Sequence, residues 1–161
     1  MQDQRLQADP GQPRDMIFQE FSNLVADKKH TNPIWFQLES DSPSSMEDIS
    51  QLEANIGTQL PDEYKQFTTK YGSGHFAFGI VYSPDRSSAF SLENENLKNR
   101  GIRKNYIIFS ENGSGDYYGF RSKEEKCSSE VFFWDHESEE WSETEHFNLF
   151  AFLASIALNS R

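Results

Sequence analysis

The stretch YIIFSENGSGDYYGF, residues 106–120, decides the fold class of this 161-residue chain. Its first four residues form an apolar run that is typical of a buried strand. The sequence Asn112-Gly113-Ser114-Gly115 then favours a tight turn. The residues from Asp116 to Phe120 are expected to return as an antiparallel neighbour. The stretch therefore predicts a β-hairpin.

Further strands are predicted on both sides of this hairpin. After it, residues 131–134 form a second apolar run, and Trp141 is expected on a short acidic strand near the sheet edge. Before it, apolar residues alternate along one segment, which predicts a single strand with one face on the core. These alternating residues are Phe76, Phe78, Ile80 and Tyr82.

Helices are predicted at both ends of the chain. Helical spacing of apolar residues covers 15–29, and a second stripe covers 49–56 between a capping box of Ser44 with Glu47 and a terminal Gly57. Pro61 begins a third helix and Gly72 ends it. A last helix places Leu149, Phe152, Leu153 and Ile156 on one face. Residues 34–38 are expected as a brief strand or anchored loop, and 85–100 as a polar stretch with a short helix.

Helices, then hairpin-linked strands, then a helix predict an α+β domain. Its antiparallel sheet should have four to six strands, with the N-terminal helices and the C-terminal helix packed on it. We expect residues 1–13 to be a disordered tail and residues 14–161 to form the single domain.

The net charge of −11 and the single cysteine narrow the functional classes. Phosphate backbones repel such an acidic protein, which argues against nucleic-acid binding. No secretory signal or membrane-spanning run is present, so we expect a cytoplasmic protein without membrane contact. One cysteine forms no internal disulfide, and no pair of cysteines suggests a zinc site.

The acidic residues are concentrated near the C-terminus. Between residues 122 and 146, nine acids face two lysines. A run of charge is commonly a solvated, solubilising surface. The alternative is a docking face for a basic protein, in which carboxylates steer the encounter and an aromatic residue anchors it. The residues predicted to bind a partner are Asp135, Glu137, Glu139, Glu140, Trp141 and Glu143.

The residues that could form a catalytic or metal site have simpler interpretations. Paired acids such as Asp135 and Glu137 could serve a glycosidase, but neighbouring exposed carboxylates are usually solvated. His136 and His146 do not have the spacing of a helical metal pair. Cys127 has no histidine close in sequence, which favours an unreactive thiol. We therefore expect no enzyme activity, no metal and no cofactor.

Five segments resemble those of the SUKH superfamily, which includes fungal cell-wall-synthesis regulators and many bacterial immunity proteins. The segments are SSMEDISQLEANIG (44–57), LPDEYKQFTTKYGSG (60–74), YIIFSENGSGDYYGF (106–120), VFFWDHES (131–138) and FNLFAFLASI (147–156). Within them, seven residues match the motif positions and have structural explanations. These are Leu60, Pro61, Tyr64, Gly72, Gly115, Asp116 and Trp134.

The resemblance implies an α+β protein whose work is binding. A stand-alone domain of this size resembles the bacterial immunity form, which binds and occludes a cognate toxin, many such toxins being nucleases. The partner would then be a basic toxin protein. The alternative that the same resemblance leaves open is an intracellular regulatory or scaffold domain with a different protein partner.

Overall fold

A computed structural model describes residues 15–159, and the expected tail at 1–13 lies outside them. The helices are α1 (Phe18–Thr31), α2 (Met46–Ile56), α3 (Asp62–Lys70), α4 (Leu92–Lys98), α5 (Arg100–Arg103) and α6 (Leu149–Ile156), with a 3₁₀ helix at Pro33–Phe36. The strands are β1 (Ser40–Asp41), β2 (Ser73–Phe76), β3 (Gly79–Val81), β4 (Tyr106–Glu111), β5 (Tyr117–Lys123), β6 (Lys126–Cys127), β7 (Phe132–Asp135) and β8 (Glu140–Glu143).

The strands form two antiparallel sheets. The smaller has the order β1-β2-β3, and the larger has the order β4-β5-β7-β8 with β6 paired to β5. Hydrogen bonds join the sheets, among them one from the Tyr82 N–H to the Phe109 carbonyl and one from the Ser110 hydroxyl to the Ile80 carbonyl. The α+β prediction is confirmed, and β8 lies at the sheet edge as expected for Trp141.

Aromatic rings fill the core between the helices and the larger sheet. Phe21 of α1 stacks on Phe150 of α6 with ring centroids 5.0 Å apart. Phe109 stacks on Phe120 at 4.2 Å, and Phe152 of α6 meets Phe109 edge-on at 5.4 Å. Because each aromatic ring buries a large area, this core forms despite the low mean hydropathy of the chain.

The helix boundaries differ from the prediction at the caps. The capping box of α2 consists of Ser45 and Asp48, which exchange hydrogen bonds of 3.1 and 3.3 Å, so the predicted Ser44 and Glu47 are wrong by one residue. Pro61 is the N-cap of α3 and not its first helical residue. Gly57 does end α2, with a φ of 75° in the left-handed region that glycine tolerates.

The predicted single strand over 76–82 is instead a hairpin. Phe76 pairs with Gly79, which leaves Ala77 and Phe78 as a two-residue turn between β2 and β3. Because apolar residues alternate through the turn as they do along a strand, the sequence pattern does not reveal the turn. Within residues 15–159, no helix is long and apolar enough to cross a membrane.

Candidate functional site

The β7–β8 hairpin presents four carboxylates at its turn. Glu137, Glu139 and Glu140 are exposed, and Asp135 is half-buried. The Asp135 carboxylate accepts a hydrogen bond of 2.9 Å from the Glu137 N–H, and the Asp135 carbonyl accepts one of 2.7 Å from the Glu139 N–H. These bonds hold the turn in one conformation. We call Asp135, Glu137, Glu139 and Glu140 the acidic turn.

Two features of the acidic turn are locally unfavourable. Asp135 is directly opposite Glu140 in the strand register, and like charges in such a pair destabilise a hairpin. Glu139 has a φ of 56°, a left-handed conformation that costs free energy in a residue with a side chain. A glycine or asparagine would be favoured there. The chain therefore keeps carboxylates where folding alone favours other residues.

A second acidic turn lies at the other end of β5. Glu124 and Glu125, between β5 and β6, have φ values of 54° and 62°. The acidic turn lies beside Tyr117 at the start of β5, because Tyr117 pairs with Trp134. The β5–β6 turn follows Lys123 at the end of that strand. The two turns share their chemistry and differ in position, so the second is a matched control for the first.

Asp116 links the β4–β5 turn to the acidic turn. Its Oδ1 accepts hydrogen bonds from the backbone N–H of His136, at 2.9 Å, and lies 2.6 Å from the His136 Nδ1. Its Oδ2 accepts one from the Asn112 side chain at 2.8 Å. Within the β4–β5 turn, Asn112 accepts the N–H bonds of Ser114 and Asp116, so the Asp116 carboxylate is left to accept a backbone N–H from the other turn.

The hydrogen bonds around Asp116 shift two pKa values. The His136 N–H, the Asn112 amide and the His136 ring together lower the pKa of Asp116 to about 2. The hydrogen bond to Asp116 in turn raises the pKa of His136. Asp116 is consequently ionised at neutral pH and adds a fifth carboxylate beside the acidic turn.

A cleft of 210 Å³ opens beside this link. Glu111, Asp116 and Tyr117 line it, together with the glycines of the β4–β5 turn. The Tyr82 hydroxyl donates a 2.7 Å hydrogen bond to the Glu111 carboxylate and fixes its position. Sequence reasoning assigned neither Glu111 nor Asp116 to a binding surface. No sequence signal predicted that a hydrogen bond would bring the two turns together.

Trp141 and Glu143 lie on the opposite face of the hairpin from Glu140, because side chains alternate along a strand. The Trp141 indole stacks on Tyr106 at 4.3 Å and donates a hydrogen bond to the Ile102 carbonyl. The structure therefore brings Asp135, Glu137, Glu139 and Glu140 together, but it separates Trp141 and Glu143 from them. Trp134, which matches a position of the family motif, is buried, with 8% of its surface exposed.

The residues of the Leu-Pro-Tyr motif pack in the core. Leu60, Pro61 and Tyr64 are buried, and the Tyr64 hydroxyl donates a 2.7 Å hydrogen bond to the Tyr82 carbonyl. Gly72 has a φ of 92°, and a Cβ there would lie 2.0 Å from the Asp41 carbonyl oxygen. Gly115, also at positive φ, lies beside the His136 ring.

Two other groups have ordinary structural explanations. Cys127 is buried on β6, and burial raises the pKa of its thiol to about 11, which suppresses thiolate chemistry at neutral pH. Asp116, Asp135 and His136 have potential ligand atoms within 4.8 Å of one another, the donor types that a divalent cation would use. Hydrogen bonds within the turn account for the positions of these three side chains.

The chain matches the model of a known protein family over most of its length. The model of the SUKH_6 family, described as SMI1-KNR4 cell-wall, matches residues 46–153. The match begins at α2 and continues into α6, so it includes both sheets from β2 onward and the acidic turn. It covers most of the chain, and it agrees with the order of motifs in the sequence. The chain belongs to the SUKH family.

Proposed function

We propose that this protein is an immunity protein that binds a cognate toxin and blocks it by occlusion. The observation that carries the proposal is the acidic turn, where Asp135 and Glu140 form a like-charge pair despite its cost to folding and Asp116 lies beside them. Natural proteins break such local rules mainly at functional sites. Membership of the SUKH family supports a binding role in addition.

The chemistry of the acidic turn suits a basic partner. Carboxylates on a fixed hairpin attract cationic proteins and raise the rate of productive encounter. Asp116 and Glu111, which line the neighbouring cleft, would receive a lysine or arginine side chain of the partner. An arginine can bind a carboxylate through two parallel hydrogen bonds, which adds geometric specificity to the attraction.

Occlusion requires binding and no chemical step. An interface of ordinary size buries on the order of 1,600 Å² in total, enough to cover the active site of a small nuclease domain. Basic nucleases carry their positive charge around the substrate channel. An acidic surface docked there would exclude nucleic acid by competing for the same cations. The protein would act in the cytoplasm, where the target of such a toxin lies.

A regulatory or scaffold domain is the second candidate, and the cell-wall description of the matching family favours it. The two candidate functions differ in the effect that the partner protein has on the cell when it is produced alone. An immunity protein rescues cells from a specific lethal partner, whereas a scaffold binds a protein that is harmless when produced alone.

The test is co-expression of this protein with the product of the neighbouring reading frame in a susceptible host. The immunity proposal predicts that the neighbour kills alone, that co-expression restores survival, and that the two proteins purify as a complex. If the neighbour is harmless, or kills despite co-expression, the immunity proposal fails. A stable complex with a harmless neighbour would support the scaffold candidate.

A further inference from the structure

A second exposed surface lies between α1 and the β2–β3 turn. Trp35 and Phe78 are in contact there, with ring centroids 4.8 Å apart. Phe78 is 56% exposed and Ile34 is 71% exposed. The Lys28 ammonium lies 5.8 Å from the Trp35 ring, and the Lys29 ammonium lies 5.4 Å from the Phe36 ring. We call Lys28, Lys29, Ile34, Trp35, Phe36 and Phe78 the lysine–aromatic surface.

A cleft of 70 Å³ continues this surface inward. The rings of Phe36, Phe67, Tyr71 and Phe76 line it, and the polar side chains of Lys29, Ser40, Ser73 and His75 complete the lining. The cleft therefore offers both polar and apolar contacts beside the exposed rings. Exposed apolar side chains next to such a cleft are typical of interaction sites, whereas single exposed apolar residues are not.

The β2–β3 turn presents Phe78 at a conformational cost. Two-residue hairpin turns favour asparagine, aspartate and glycine, which tolerate positive φ and are polar. This turn is Ala77-Phe78, and Ala77 has a φ of 51°. The phenyl ring of Phe78 contacts Trp35, which is itself only half-buried. This contact covers only part of the ring, because Phe78 remains 56% exposed, and strained turns that present an exposed side chain are common at functional sites.

The lysine–aromatic surface is built mainly by a segment outside the family match. Lys28, Lys29, Ile34, Trp35 and Phe36 precede residue 46, where the match begins. Within residues 15–159, neither lysine forms an ion pair with a carboxylate. Among these residues, the two lysines therefore contact aromatic rings and no carboxylate, and the surface does not depend on the acidic turn.

We propose that the lysine–aromatic surface binds a short segment of a partner protein in which apolar side chains stand next to carboxylates. The apolar side chains would pack against Trp35 and Phe78, and the carboxylates would pair with Lys28 and Lys29. The charge of the surface is complementary to such a segment. Nucleic acids, anionic membranes and a second copy of this chain would extend over the rest of a surface whose net charge is −11, whereas a short segment contacts only the lysine–aromatic surface.

The test uses the full-length, isotope-labelled protein and a short synthetic peptide of alternating Asp, Leu, Glu and Trp. Backbone amide NMR should show shifts at residues 28–36 and 76–79 upon titration with this peptide. A peptide with Leu and Trp replaced by Ser, and another with Asp and Glu replaced by Lys, should bind this surface at least about tenfold more weakly, as measured by the shifts at residues 28–36 and 76–79 alone.

Variants identify the surface. Phe78→Ser, and Lys28→Glu with Lys29→Glu, should each weaken peptide binding by about tenfold or more. Leu97→Ser is the matched control for Phe78, because Leu97 is 53% exposed on α4, and Lys123→Glu is the control for the lysines. Both controls should bind as the wild type does. Reversal of Glu137, Glu139 and Glu140 to Lys should also leave peptide binding intact, which separates this surface from the proposed toxin-binding site.

Several results would overturn the proposal. These are an absence of shifts at residues 28–36, equal binding of the serine peptide, or unchanged affinity in folded Phe78→Ser protein. Binding of anionic vesicles or single-stranded RNA to this surface in place of the peptide would also reject it. So would a concentration-dependent dimer that Phe78→Ser abolishes.

Discussion

Asn96 joins α4 to β4, the first strand of the larger sheet, through its side-chain amide. The amide donates hydrogen bonds of 2.8 Å to the Leu92 and Ile108 carbonyls, and its oxygen accepts one of 2.9 Å from the Ile108 N–H. Asn96 is 3% exposed, so water cannot replace these bonds. The side chain thereby satisfies both backbone polar groups of Ile108.

Replacement of Asn96 by alanine should lower the free energy of unfolding by about 2–4 kcal/mol, because the Ile108 backbone groups become buried without partners. Urea denaturation followed by circular dichroism measures this change. Asn94→Ala on the same helix is the control, since Asn94 is exposed, and it should change the free energy by under about 0.5 kcal/mol. Equal effects of the two substitutions would contradict the role of Asn96.

The Asp116–His136 link should be visible in a pH titration of the His136 ring by NMR. Asp116 raises the pKa of His136, so Asp116→Asn should lower that pKa. Because the pKa of His136 is higher in the folded state, protonated His136 stabilises the fold at pH values below the ordinary histidine pKa. This contribution is lost as pH rises through the raised pKa. The lowered pKa of Asp116 gives a contribution that is lost as pH falls toward about 2. An unchanged His136 titration in Asp116→Asn would show that the two groups are not in contact.

At the scale of single residues, the sequence predicted which residues are charged or apolar better than it predicted which side chains contact one another. The acids at 135–140 were identified because a charge run is visible in one dimension. The polar stretch over 85–100 gave no sign that Asn96 would be buried, because a buried asparagine depends on distant backbone groups. Trp141 was expected as an anchor for a partner, but its stacking on Tyr106 depends on the three strand pairings that connect β4 to β8.

The β7–β8 hairpin is the element in which folding and binding are in conflict. Glu140→Lys should replace the like-charge pair with Asp135 by an opposite-charge pair and stabilise the protein by about 0.2–1 kcal/mol. Ser142→Lys on the same face of β8 faces Phe133 instead, and should give no such gain. Thermal or urea unfolding of both variants measures the difference. A loss of stability in Glu140→Lys would reject the cost assigned to the acidic turn.

Elements with a clear apolar stripe were predicted correctly. The helices α2, α3 and α6 each carry such a stripe, and their existence follows from local sequence. The β2–β3 hairpin was missed because Ala77-Phe78 lacks the residues that mark a turn. The segment 33–36 became a 3₁₀ helix, which four residues of apolar sequence do not distinguish from a strand.

At the scale of the whole molecule, charge and apolar surface are distributed unevenly. The acidic turn and the cleft beside Asp116 lie on the larger sheet, and the lysine–aromatic surface lies on α1 and the smaller sheet. Composition predicted only the net charge. The position of each surface depends on the fold, because residues 116 and 136, or 35 and 78, meet only in three dimensions.

The most direct measurement of the central claim is the association rate between this protein and the product of the neighbouring reading frame, recorded by stopped flow at low and high salt. Three forms of the protein are compared. The first is the wild type. The second is a triple variant with Glu137, Glu139 and Glu140 changed to Lys, and the third is a control triple variant with Glu124, Glu125 and Glu130 changed to Lys. The two variants carry the same net charge.

We predict that reversal of the acidic turn slows association by about tenfold or more at low salt and removes most of its salt dependence. The control reversal should retain most of the wild-type rate, because its acids lie elsewhere. Equal rates for the two variants, or a wild-type rate in the acidic-turn variant, would contradict the assignment of this turn as the docking surface for a basic partner.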